Sequence, residues 1–262
     1  MRHGSLKYFF VAGLLSLLPS SSWAQSTPVS LGLSYLGQSQ NADGSWGGTA
    51  SSIDDVFPST STAVDALKLL ETTPSTNRTN ALGYLSAQTL DVTDYLSRRI
   101  VSVSGTGGNT SADLTALVAL RNSDGGWGGA AGNTSDVFDA ALALRALAAA
   151  GSTDSTSING AVSNLLAAQN SDGGWGFVAG NGSRVYYTAI VMQALESALG
   201  GQVQSTAIAN AHSRATVYLL SQQQSSNGSW ANVPDTAFAL MAIMKTTGNV
   251  TARTSAIQYL LS

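Results

Sequence analysis

An all-helical chain built of stacked helical hairpins is what this sequence predicts, on three observations. A phrase carrying glycine and tryptophan recurs along the chain, the segments between its copies hold apolar residues at helical spacing, and no segment alternates as a strand would. Four copies are plain: Gln40-Asn41-Ala42-Asp43-Gly44-Ser45-Trp46-Gly47, Arg121-Asn122-Ser123-Asp124-Gly125-Gly126-Trp127-Gly128, Gln169-Asn170-Ser171-Asp172-Gly173-Gly174-Trp175-Gly176, and Gln224-Ser225-Ser226-Asn227-Gly228-Ser229-Trp230. A weaker copy, Tyr84-Leu85-Ser86-Ala87-Gln88, has lost its glycine and tryptophan and runs on into Asp91. The copies recur every roughly 30 to 55 residues, the spacing of one helical hairpin per unit.

Each unit reads as two helices. A first helix, such as 161–169 or 215–223, ends at the glutamine, where Asp-Gly or Asn-Gly supplies the turn. A second helix opens with Asp or Thr and continues in Ala and Leu, as in Thr62-Ala63-Val64, Asp139-Ala140-Ala141, Thr188-Ala189-Ile190 and Asp235-Thr236-Ala237. Asp and Thr favour such starts because their side-chain oxygens accept from the unpaired N–H groups of a first turn. On that ground Asp139 and Asp235 are expected to be N-caps. Alanines allow the close helix approach an inner ring requires, and about eleven helices are expected in all.

Composition narrows the function. Of 262 residues 44% are hydrophobic and only 10% charged, against about 25% in an ordinary soluble domain. A net charge of −3 and a pI near 5.2 exclude a nucleic-acid groove, which needs clustered Lys and Arg. With no cysteine, disulfides, thiolate zinc sites and thiol nucleophiles are excluded. Arg2, His3 and Lys7, the apolar run from Tyr8 to Leu18 and the small residues around Ser22-Trp23-Ala24 follow the order of a secretory signal. Residues 1–24 are therefore expected to be removed, leaving 25–262 as one repeat domain that is secreted or periplasmic. No later segment reaches the length a membrane span requires.

Glutamine followed by Gly-x-Trp at a helix end resembles the QW motif of the squalene-cyclase and prenyltransferase repeat superfamily, and the resemblance extends from Val29 to the C-terminus. It implies an α/α toroid in which Gln40, Trp46, Trp127, Gln169, Trp175, Gln224 and Trp230 clamp neighbouring helices, with Arg121 in a glutamine's place. A motif of that kind implies a fold and not a reaction. The last segment, Ile257-Gln258-Tyr259-Leu260-Leu261-Ser262, repeats the frame of Thr216 to Ser221 and stops before another turn, so the toroid is expected to be incomplete at its C-terminal end.

Within such a toroid, chemistry would sit where the second helices begin. Class II cyclases of the superfamily carry Asp-x-Asp-Asp-Thr-Ala there, and the middle acid protonates an alkene. The nearest stretches are Asp136-Val137-Phe138-Asp139-Ala140-Ala141 and Asn232-Val233-Pro234-Asp235-Thr236-Ala237, with Phe138 or Pro234 in the donor's place. Asp54 and Asp55 keep a pair of acids but read as loop ahead of a helix starting near Ser59. The candidate catalytic acids are Asp54, Asp55 and Asp136, and a ligand-binding mouth is expected at Asp54, Asp55, Asp136, Asp139, Tyr186, Tyr187 and Asp235. Prenyltransferase zinc ligands are not matched, and His212 reads as a surface residue on a first helix, so no metal and no cofactor is expected. The Asn-x-Asp-Gly turns lack the further acids of a calcium loop. An exported noncatalytic binding module follows, holding a small ligand, a glycan or a partner protein. The alternatives are a terpenoid cyclase with a divergent acid, a paired-carboxylate glycan-cleaving enzyme, or a spacer in a larger surface protein.

Overall fold

The structure, a computed structural model, describes residues 27–48, 53–199, 205–244, 246 and 248–262. The expected signal at 1–24 lies outside them. Eleven α-helices and no strand occur among the described residues: α1 (Thr27–Ser39), α2 (Ile53–Leu70), α3 (Thr76–Ala87), α4 (Thr93–Val103), α5 (Ser111–Ala119), α6 (Val137–Ala149), α7 (Ser155–Ala167), α8 (Val185–Ser197), α9 (Ser205–Gln222), α10 (Val233–Ile243) and α11 (Val250–Leu261). None is long and apolar enough to cross a membrane.

The helices alternate between two layers. α2, α4, α6, α8 and α10 pack side by side in that order, and each is backed by the odd-numbered helix that follows it. Small residues allow this. Ala140, Ala143 and Ala146 of α6 and Ala189 and Ala194 of α8 are completely buried, and no bulk on them holds neighbouring helices apart.

The turns lock the two layers together. The Trp46, Trp127, Trp175 and Trp230 indoles are buried, and each donates to the carbonyl of a leucine in the preceding outer helix: Leu36 at 2.9 Å, Leu117 at 2.7 Å, Leu165 at 2.7 Å and Leu219 at 2.6 Å. Those carbonyls belong to last helical turns, where the i→i−4 ladder ends; Leu117 O also accepts from Leu120 N–H at 3.2 Å. The backbone N–H groups of Trp46, Trp175 and Trp230 donate to Thr60, Thr188 and Thr236 of the next inner helix, at 2.9, 3.0 and 2.9 Å. Glutamine binds the neighbouring outer helix: Gln40 Nε2 donates to Gly44 O and Asn77 O, and Gln169 Nε2 to Gly173 O and Ala211 O. In the last turn this work falls to Gln223, which donates to Gly228 O and Ala252 O. Gln224, expected in that role, stands one residue late. It occupies the place of Asn41 and Asn170, with its backbone N–H on Ser229 O.

Glycine is required in these turns for two reasons. Gly173 has φ +90°, and a Cβ there would lie 2.5 Å from the Arg214 carbonyl oxygen of α9. Gly125 at φ +85° meets Gly160 of α7 with backbone against backbone. The weak copy at Gln88 is closed differently. Arg99 of α4 reaches back to Leu85 O at 3.2 Å and to Gln88 O, and is held by a two-pronged ion pair to Asp113 at 2.6 and 2.8 Å. An arginine thus fills the position that the tryptophan indole fills elsewhere.

Two boundaries differ from the sequence reading. The inner-helix residue equivalent to Thr188 and Thr236 is Thr60, not Thr62. α2 begins at Ile53, so Asp54 and Asp55 lie in its first turn rather than on a loop. Pro58 caused the misreading: it has no N–H for an i→i−4 bond and reads as a helix boundary, whereas here it sits inside α2.

Candidate ligand-binding mouth and lumen

The inner helices start at one end of the molecule. The first N–H of α4, on Thr93, donates to Gly129 O at 2.9 Å, and that of α6, on Val137, to Phe177 O at 2.8 Å, so each start is tied to the following turn. The caps lie one turn earlier than expected. Asp136 Oδ1 accepts from Asp139 N at 2.8 Å and Asn232 Oδ1 from Asp235 N at 2.8 Å, so Asp136 and Asn232 are the N-caps. Asp139 and Asp235 are the third residues of their helices. Asp235 also accepts from Asn232 Nδ2 at 2.9 Å, and partial burial raises its pKa.

Asp136 and Asp139 are only 8% and 6% exposed and form a coupled pair. Burial pushes Asp139 up to about 8, and its contact with Asp136 adds to the rise. Asp136 is also raised by burial, against the lowering bonds it accepts. Both groups thus shift toward the protonated form, because burial disfavours the charged one. Asp139 Oδ1 is buried without a hydrogen-bond partner.

Aromatic rings gather around Phe138, which stands between the two acids in sequence. Phe138 lies 6.1 Å from Tyr186 and 6.2 Å from Tyr187, Tyr187 5.6 Å from Phe177, and Tyr186 5.0 Å edge-on from Phe238. Phe177 is 43% exposed and forms the outer lip. Asp54 lies elsewhere on the rim, where it accepts from the Tyr95 hydroxyl, and Tyr95 is pushed up to about 12 by burial and by that bond. Asp55 is exposed, and Asp235 stands on α10. Phe138, which stands between Asp136 and Asp139 in sequence, thus meets Tyr186 and Tyr187, whereas Asp54 bonds Tyr95 and Asp235 bonds Asn232.

Below the mouth, partly accessible residues run down otherwise buried helices at spacings of seven: Phe138 and Arg145 on α6, Tyr186 and Gln193 on α8, Pro58 and Asp65 on α2, Asp94 and Val101 on α4, Pro234 and Met241 on α10. A spacing of seven is two helical turns, so each pair lies on one face. Contacts across the axis show that these faces look inward. Arg98 of α4 pairs with Asp94 and hydrogen-bonds Tyr186 of α8. Asp65 of α2 accepts from Ser102 of α4 at 2.9 Å and stands within electrostatic reach of Arg145 of α6. Burial raises the Asp65 carboxyl, and Lys68 beside it is lowered by burial while donating to Val101 O and Ser104 O.

The sequence reading missed Asp65, Arg98, Arg145 and Gln193, although a signal was there. They are the polar interruptions in aligned apolar stretches, with Asp65-Ala66-Leu67, Arg145-Ala146-Leu147 and Gln193-Ala194-Leu195 in one frame. A charge in the middle of an Ala and Leu helix needs a reason. His212 is half-buried on α9 rather than a surface residue; burial lowers its pKa, and its Nε2 has no partner. Among the described residues no group of three or more His, Asp or Glu side chains is placed to hold a metal. Elsewhere a groove of about 520 Å³ lies between α7 and α9, against Leu166, Asn210 and Arg214, away from the mouth.

No family model and no curated protein sequence matches this chain. Solved structures do. One is the ent-copalyl diphosphate synthase from Streptomyces platensis, with 16% identity and a TM-score of 0.61, covering 98% of this chain and 50% of that one. Another, a protein from Actinoplanes, shares 17% identity over 98% of this chain and 70% of its own, with a TM-score of 0.43. The chain spans about half the length of the synthase. At that identity the likeness establishes architecture alone: the chain has an all-helical, terpene-cyclase-like α/α toroid fold.

Proposed function

We propose that this chain is an exported, noncatalytic binding module that takes its ligand through the aromatic mouth into the lumen of the inner helices. One observation carries the reading. Where a class II cyclase would present its proton donor, this chain has Phe138, stacked against Tyr186 and Tyr187. Neighbouring Asp136 spends its carboxylate on capping α6, and the free oxygen of Asp139 is buried. An aromatic rim with polar groups behind it is a binding surface before it is an acid catalyst. Incubating the purified chain with a linear polyprenyl diphosphate or squalene and analysing extracts by mass spectrometry is expected to return substrate only. Export predicts that the chain recovered outside the cytoplasm starts near Gln25, as intact mass will show.

A second reading has its own support. Asp139 is an acid whose pKa is pushed up to about 8, so it keeps its proton at neutral pH. If cyclised product forms and Asp139→Asn abolishes it while Asp54→Asn does not, Asp139 is a displaced general acid and the noncatalytic reading fails.

A further inference from the structure

The deepest layer of the lumen holds two hydrogen-bond donors without acceptors. Gln193 Nε2 is buried and has no partner. The Arg145 guanidinium makes no hydrogen bond and no ion pair with any described residue, although Asp65, Arg98 and Tyr186 lie within electrostatic reach of it. The two side chains occupy the same register on adjacent inner helices, nine residues after the caps Asp136 and Arg184. An unpaired buried donor costs about 1–3 kcal/mol, so Gln193 Nε2, beside a partly accessible guanidinium with no hydrogen bond of its own, needs an explanation.

Between this layer and the mouth the wall changes character. Leu142 and Ile190 are buried and apolar, and Phe238 meets Tyr186 edge-on. Seven residues of helix separate Arg145 from Phe138, a depth of about 10 Å at 1.5 Å per residue. Above a donor-rich floor the lumen is thus apolar on the side of α6, α8 and α10, and carries the Arg98–Asp94 pair on the side of α4.

We propose that this floor is an anion site, in which Arg145 and Gln193 hold the carboxylate of an amphiphilic monocarboxylate whose apolar chain runs outward past Ile190 and Phe238 to the mouth. The guanidinium fork and the amide N–H₂ suit an acceptor with two oxygens in one plane. Asp65 of α2 faces the same layer, within electrostatic reach of Arg145. The assignment rests on the lumen being a binding site and adds to that reading the class of ligand.

Isothermal titration of the purified full chain with octanoate tests it, with octanol and inorganic phosphate as controls. Octanoate is expected to bind at one site, and octanol and phosphate at least about tenfold more weakly, the loss of a charged hydrogen-bond pair. Arg145→Gln is expected to remove the preference for octanoate over octanol. Gln193→Glu, which supplies Arg145 with a built-in carboxylate, is expected to weaken octanoate binding as strongly while thermal melting shows an intact fold. Octanoate binding that neither substitution changes, or no octanoate binding at all, overturns the anion site. Octanol binding that Tyr186→Ala abolishes would still uphold the binding-module reading; binding of neither amphiphile would count against both.

Discussion

The turns that close the outer helices and the floor of the lumen are built on the same helices, yet they treat polar atoms in opposite ways. In the turns, donors and acceptors are matched: each indole has its leucine carbonyl, Gln40, Gln169 and Gln223 each bind two carbonyls, and Arg99 has Asp113. In the lumen, Arg145, Gln193 Nε2 and Asp139 Oδ1 go without. A satisfied network contributes rigidity, whereas an unsatisfied one stores binding capacity at the expense of stability. The comparison predicts that removing turn residues costs stability and removing lumen residues does not.

The largest effect is expected at Trp175. Trp175→Ala empties a site that is fully buried and strands the Leu165 carbonyl as well as the indole's packing partners. A loss of about 3–5 kcal/mol is expected from the cavity alone. Urea denaturation will measure it as a lower midpoint. A loss under about 1 kcal/mol would show that the turn is not what holds α7 to α8.

Asp139 sharpens the comparison through pH. Its carboxyl is raised to about 8 in the folded chain and titrates at about 4 when unfolded. Between those values the folded state binds a proton the unfolded state has released, so stability is full below pH 4 and falls as pH rises toward 8. Asp139→Asn keeps the shape and cannot ionise. It is expected to flatten the melting temperature between pH 5 and 8, with the largest gain over the parent chain at the upper end, as thermal melts at several pH values will show. A parent chain whose stability rises over that interval would contradict the raised Asp139 carboxyl.

What the sequence made legible follows from this division. Clamps are written in rare residues at fixed spacing, so tryptophan and Gly-x-Trp announce the helix ends and the all-helical class. The one-residue slip at Gln224 arose because the last turn is a residue longer between glutamine and tryptophan than the first and third, and the bonds to Gly228 and Ala252 identify Gln223. The closure by Arg99 was invisible, since Arg99 and Asp113 lie 14 residues apart and meet only once α4 and α5 are folded back. For the candidate site, the helix starts point to Asp136, Tyr186 and Tyr187, which stand at the N-terminal ends of α6 and α8. They do not point to the floor, because a ring of side chains from α2, α6 and α8 is a property of the packed toroid and not of any one segment.

Arg145 provides the smallest expected change in stability and the most direct contrast with Trp175. Arg145→Leu deletes a guanidinium that bonds nothing and replaces it with a side chain suited to the apolar wall above it. The charge it removes is also the nearest cation of α6 to Asp65, so part of the gain from desolvation is offset by leaving that carboxylate with Lys68, Arg98 and Ser102. Replacing poorly paired buried charge by apolar residues is commonly neutral or stabilising by about 1–4 kcal/mol. With the Asp65 offset, a change between zero and about 1 kcal/mol in the stabilising direction is expected on urea denaturation. A destabilisation as large as that of Trp175→Ala would mean that Arg145 is held by the fold rather than held ready for a ligand.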